Sequence, residues 1–179
     1  FIFFSTLQAK VLNKYDKAEN FADYFSGTIL LNESKYDQSF KFFKKLDGLE
    51  EIHSTYVTKY LYSLINSGNF NQAFNFSKKL EKEKIDSFAS NLIIGIQYLK
   101  NSKYDLSSKY FDKAKNKPYS STLDSYVIDT LSVWSNLKDK NLMSAKKDLN
   151  QLDNRLENLK KIQNVFLNCF YSSKNTEAS

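Results

Sequence analysis

Three short stretches, Lys35-Tyr36-Asp37-Gln38-Ser39, Asn69-Phe70-Asn71-Gln72-Ala73 and Lys103-Tyr104-Asp105-Leu106-Ser107, repeat one pattern. Each opens on a polar residue and an aromatic, each places a small residue three positions after that aromatic, and successive aromatics stand 34 residues apart. Further columns keep the interval. Leu31, Ile65 and Leu99 are apolar, as are Leu46, Leu80 and Ala114, and Ser34, Gly68 and Ser102 favour turns. An unbroken period of this length marks stacked helical hairpins, none of which can bury its apolar face alone.

The composition agrees. The chain has 179 residues with only 4 Gly and 1 Pro, too few for turn-dense β-barrels or glycine-built phosphate loops. A hydrophobic share of 41% with 16% aromatics is too apolar for a disordered chain. With 26% charged residues and no apolar run approaching a bilayer's thickness, no membrane span is expected.

The columns resemble the tetratricopeptide repeat. The third unit carries the resemblance best, with Ile94-Gly95 and Tyr98 in its first helix, then Ser107 and Phe111 in its second. The first unit supplies Ser26-Gly27 with Leu30, then Ser39 with Phe43. The middle unit departs, carrying Leu61 where the pattern wants a small residue and Ser77 where it wants an aromatic. The family's first-helix Trp is replaced by Asp23, Val57 and Asn91, and its closing Pro has only Pro118 as a counterpart. A fourth unit, displaced by four residues, keeps Leu142, Ala145, Leu149 and Leu152.

The resemblance covers residues 20–153 and implies an all-α, right-handed α-solenoid of about four helix-turn-helix hairpins plus a C-terminal helix. Units are expected near 20–53, 54–87, 88–121 and 122–153 within a repeat region 10–153. Helix pairs are expected at 17–32 and 36–47, 54–67 and 70–84, 87–101 and 104–116, and 122–138 and 142–153. Residues 154–179 are expected to hold a last helix near 155–171, a cap or the start of a further repeat, and a frayed polar tail from Ser172. Gly27, Gly95, Ser39, Ala73, Ser107 and Ala145 are read as close-approach positions, and Phe43, Phe111 and Leu149 as fillers between neighbouring units.

The formal charge is +6, yet Arg155 is the only arginine, and bidentate reading of phosphates and guanine edges depends on the guanidinium fork. Nucleic acid is therefore not the expected partner. Lys44-Lys45, Lys78-Lys79, Lys146-Lys147 and Lys160-Lys161 read as solvated faces, and Glu50-Glu51 and Glu81-Lys82-Glu83-Lys84 as solvated turns. Cys169, in the run Val165, Phe166, Cys169, Phe170, is expected to be a small buried hydrophobe. His53 has no ligand-spaced Cys or His, so it is expected near a helix start and not on a metal. Nucleophile turns, zinc motifs and phosphate loops are absent from the sequence, so the expectation is a non-catalytic protein with no cofactor. Asn32-Glu33-Ser34 and Asn75-Phe76-Ser77 match the glycosylation acceptor pattern, which matters only in a eukaryotic secretory setting.

Phe1 to Lys10 reads as the tail of a cleavable secretory signal, residues 1–9, with the mature chain starting near Lys10 and an exported, periplasmic setting. The alternative is that Ile2, Phe3, Phe4 and Leu7 form the apolar face of a terminal helix in a cytoplasmic protein.

The leading functional expectation is a scaffold that binds a protein or peptide in the concave groove such repeats make. The resemblance implies a groove lined by one face of each first helix. Carried onto this chain, that face holds Tyr24, Thr28, Leu31 and Asn32, then Thr58, Tyr62, Ile65 and Asn66, then Leu92, Ile96, Leu99 and Lys100, joined by Trp134. Leu31, Ile65 and Leu99 read as packing, which leaves Tyr24, Thr28, Asn32, Thr58, Tyr62, Asn66, Ile96, Lys100 and Trp134 as the binding candidates. The repeated Lys and Arg with Asn by which some family members clamp a terminal carboxylate is missing, so a chaperone-tail ligand is not expected. Two other readings stay open: a basic adaptor for an anionic polymer or membrane surface, and a helical arm of a larger enzyme.

Overall fold

Helix formers fill the segments between the turn columns, with Gly27 and Gly95 the only glycines and no proline inside a helix, and the chain folds accordingly. The computed structural model describes residues 18–46, 48–118, 121–137 and 140–177, with side chains as far as 173. The candidate signal remnant at 1–9 lies outside the described residues. Among those residues there is no strand, and the α-helices are α1 (Ala18–Asn32), α2 (Tyr36–Lys44), α3 (Ser54–Asn66), α4 (Phe70–Lys82), α5 (Phe88–Lys100), α6 (Tyr104–Lys115), α7 (Thr122–Ser135), α8 (Leu142–Asn150) and α9 (Glu157–Glu177). The protein is an all-α chain of helical hairpins in which sequence neighbours pack on one another. It divides into two compact units, the first ending at Phe70 and the second beginning at Asn71.

The turn column explains the period. Ser34, Gly68 and Ser102 all adopt left-handed backbone, with φ of 59°, 75° and 57°. The following residue then reaches back five positions, Lys35 N–H to Leu30 O at 2.8 Å, Asn69 N–H to Leu64 O at 2.8 Å and Lys103 N–H to Tyr98 O at 2.9 Å. This closure satisfies carbonyls that a helix end leaves unpaired and ends each first helix within three residues of the next. The link between α7 and α8 instead runs from Asn136 to Asn141, three residues longer, and α7 has one residue more than α5, which together account for the four-residue displacement of the fourth unit.

In the first unit, α1 packs on α2 and α2 on α3. Gly27 allows the approach: a Cβ there would stand 2.8 Å from the ring of the fully buried Phe43. Ser39 Oγ donates to Gly27 O at 2.8 Å, so the small column is both a spacer and a tether. Tyr56 extends the core, donating its hydroxyl to Phe43 O at 3.0 Å. Between α2 and α3 a short 3-10 turn, Leu49–Glu51, buries Glu50, whose carboxylate accepts Gly48 N–H at 2.7 Å. Glu50 is therefore not a solvated turn residue. It satisfies the backbone N–H of Gly48, which turns the chain with φ 99°.

The second unit repeats this construction 68 residues later. Ser107 Oγ donates to Gly95 O at 2.9 Å, and a Cβ on Gly95 would stand 2.4 Å from the Phe111 ring. Phe111, Ala114 and Ile128 form one core cluster against Leu92 and Leu99, which confines Leu99 to packing. A second cluster joins Val133, Leu137, Ala145 and Leu149 to Leu167 and Tyr171 of α9.

Two side chains and one helix end depart from expectation here. Cys169 is exposed, because α9 turns Leu167 and Tyr171 to the core and Cys169 falls on the other side of the helix. Lys160 is only 6% exposed, since its ammonium donates to Asn150 O at 3.2 Å, Leu152 O at 2.6 Å and Asn154 Oδ1 at 2.7 Å, closing the end of α8. Helix α9 also runs to Glu177, so Ser172 and Ser173 are helical and not a frayed tail.

Candidate functional site

In the first unit the candidate residues fall on two helical lines. Tyr24, Thr28 and Asn32 follow one another at four-residue spacing on α1, and Thr58, Tyr62 and Asn66 do so on α3. Lys59 ties the two helices together. Its ammonium donates to Thr28 Oγ1 at 3.1 Å and sits 5.0 Å from the centre of the Tyr24 ring. Tyr24 also packs on Phe43 and on His53, with ring centres 6.2 and 5.0 Å away. Tyr24 and Thr28 are thus engaged in holding α1 against α3. His53 lies at the start of α3, where Nδ1 accepts Tyr56 N–H at 3.1 Å.

Tyr62 is different. Its side chain is 52% exposed and is steadied edge-on by Tyr36, with ring centres 6.0 Å apart. The Tyr36 hydroxyl beside it holds the Tyr62 phenol above its ordinary pKa, so the group stays a neutral donor and acceptor throughout the physiological range. One turn on, Asn66 Nδ2 donates to Tyr62 O at 2.8 Å, which fixes the amide and leaves its oxygen to accept. Thr58 and Asn32 are exposed at the ends of the same two lines. The surface is a ring flank bordered by amides and a hydroxyl, suited to an extended backbone and without a nucleophile and base pairing for bond cleavage.

In the second unit Ile96 is 42% exposed on α5 and Lys100 is exposed one turn later. Trp134 is committed to the core at α9: its indole N–H donates to Gln163 Oε1 at 2.8 Å and its ring meets Phe170 edge-on at 5.9 Å. Along α6 a cavity of about 480 Å³ is lined by Tyr104, Asp105, Ser108, Lys109 and Asp112, with Ser135 and Asn136 at the end of α7. Its mixed charges, with Tyr104 the single ring in the lining, make it a poor seat for a small molecule.

The densest electrostatic cluster lies between α4 and α6. Glu81 accepts from Lys78, from Lys113 at 2.5 Å and from the Tyr110 hydroxyl at 2.8 Å, and Lys78 also donates to Tyr110 at 2.8 Å. Burial pushes the Glu81 carboxyl up, but these donors outweigh it and hold its pKa at about 2. Glu81 is an ion-pair anchor and not a solvated turn residue. Among the described residues no group of three or more His, Cys, Asp or Glu could hold a metal ion, and no helix is long and apolar enough to cross a membrane.

No family model, curated protein or solved structure matches this chain. What the face can do is therefore carried by its own residues. Two of these, Lys59 and Tyr36, escape a column-by-column reading. Each acts on a candidate 26 to 35 positions away, and only the heavy lysine usage and the aromatic heading of each second helix hint at them.

Proposed function

We propose that this protein is a non-catalytic, tetratricopeptide-like binding module whose first unit captures an extended peptide segment of a protein partner on Tyr62, Asn66, Thr58 and Asn32. The observation that carries the reading is the exposed Tyr62 ring, flanked edge-on by Tyr36, with the Asn66 amide held beside it. A half-exposed aromatic with only two side-chain torsions to order offers buried area at low entropic cost, and a held amide supplies backbone hydrogen bonding. Ile96 and Lys100 are the corresponding candidates of the second unit. The reading is favoured over a polyanion adaptor because many lysines are already paired, Lys45 with Asp23 at 2.9 Å, Lys115 with Asp129 at 3.0 Å and Lys117 with Asp86 at 3.2 Å.

The test uses peptides selected from a random display library on the parent protein. Tyr62→Ala with Asn66→Ala should lower their affinity at least tenfold, about 1.4 kcal/mol or more, while circular dichroism stays unchanged. Undiminished binding by the folded double variant would remove the face from consideration.

A further inference from the structure

Thr122, Tyr126, Thr130 and Trp134 follow one another at four-residue spacing along α7. At the 34-residue interval Thr130 is the counterpart of Tyr62 on α3 and Ile96 on α5, and Trp134 that of Asn66 and Lys100. This is the candidate binding line, and it changes character along the chain. Tyr62 is 52% and Ile96 42% exposed, whereas Tyr126 and Thr130 are 5% and 6% exposed. Both ends of the α7 line are tied to the last helix. Arg155, just ahead of α9, donates through Nη1 to Thr122 Oγ1 at 3.4 Å, and at the other end Trp134 donates to Gln163 and meets Phe170. Helix α9 therefore runs alongside α7 in the same direction, with Tyr126 and Thr130 between its two attachments.

We propose that α9 is an autoinhibitory strap: it occupies the binding line of α7 and gives way there to an extended peptide. The inference rests on the peptide-binding reading of these columns. What lies beneath the strap favours the exchange. The Tyr126 and Thr130 hydroxyls are buried with no hydrogen-bond partner among the described residues, and a buried hydroxyl left unpaired costs free energy. The flank of a helix offers no free backbone donor or acceptor, because its N–H and C=O groups bond one another. An extended segment offers both, so a peptide backbone can satisfy two hydroxyls that α9 leaves unpaired. The attachment of α9 is uneven as well. Its residues in the apolar cluster, Leu167, Phe170 and Tyr171, all lie in its second half, while its first half meets α7 through the polar Arg155 and Gln163 contacts. The first half can lift with the second half still seated.

A site open only part of the time binds with an affinity reduced by its open fraction, so cutting the polar ties should raise affinity. The test uses the full chain with Tyr62→Ala and Asn66→Ala in place, which silences the first-unit face and separates failure of the strap from failure of that face. Arg155→Ala with Gln163→Ala is added to release the strap, or Gln163→Ala alone if circular dichroism shows that the pair lowers helicity. Tryptophan-free peptides are selected from a random display library on this released protein. They should bind it about tenfold or more tighter than the same protein with Arg155 and Gln163 restored. Binding should shift the emission of Trp134, the one tryptophan of the chain. Tyr126→Phe with Thr130→Val, added to the released protein, removes the unpaired hydroxyls and should weaken binding again. No binder from the selection, equal affinity with and without Arg155 and Gln163, an unmoved Trp134 emission, or indifference to Tyr126→Phe with Thr130→Val would each overturn the strap.

Discussion

Ser34, Gly68 and Ser102 show how one residue sets a hairpin. All three take the same left-handed backbone, but only glycine does so without a Cβ penalty, which is about 1 kcal/mol or somewhat more. A side chain on Gly68 would meet nothing within 4 Å, so substitution there reports on the backbone alone. Gly68→Ala should therefore cost about 1 kcal/mol, and Ser34→Gly and Ser102→Gly should each be neutral to stabilising by up to about 1 kcal/mol, read from urea midpoints. A loss on Ser102→Gly equal to that on Gly68→Ala would refute the backbone account. This column was legible in the sequence because turn chemistry is local. Lys160 and Glu81 were not: Lys160 closes a helix end through carbonyls six to ten residues away, and Glu81 draws Lys113 from 32 residues away, so nothing in either residue's immediate sequence distinguishes it from a solvated charge.

At the scale of elements, α4 and α6 are joined by the Glu81 cluster, and its stability contribution depends on pH with a defined sign. The folded pKa of Glu81, about 2, lies below the ordinary 4.5. The contribution is therefore complete above pH 4.5 and is lost as pH falls from there toward 2. Partial exposure reduces the full linkage value, leaving on the order of 2 kcal/mol. Asp86, which burial pushes up but Asn91 and Lys117 hold below its ordinary value, adds an acid dependence of the same sign. Glu81→Gln should lower stability at pH 7 and flatten the decline between pH 5 and 2, while retaining the part due to Asp86. Parallel parent and variant curves of stability against pH would show that the cluster is surface decoration. Element existence and most boundaries were readable from periodicity, since α1 to α8 begin within a residue of the positions the columns imply. Helix α9 was readable as a helix but not in its orientation. A sequence with apolar residues on two faces does not say which one the core takes, so Cys169 was assigned to the wrong side.

For the whole molecule, a chain of neighbour-packed hairpins stores its stability as local terms, and long-range coupling between distant hairpins is weak. The two close-approach glycines allow this to be tested, because Gly27 and Phe43 lie in the first unit and Gly95 and Phe111 in the second. Leucine at either position would overpack a fully buried phenylalanine and cost about 1 to 3 kcal/mol. Trp134 is the single tryptophan and belongs to the core cluster formed with α8 and α9, so its fluorescence follows the second unit while circular dichroism follows both. With stability held in local terms, Gly27→Leu should shift part of the circular dichroism transition to lower urea and leave the Trp134 transition in place, whereas Gly95→Leu should move the Trp134 transition. Equal displacement of the fluorescence midpoint by the two variants would mean that the units unfold as one cooperative body, and the local account of stability would then fail.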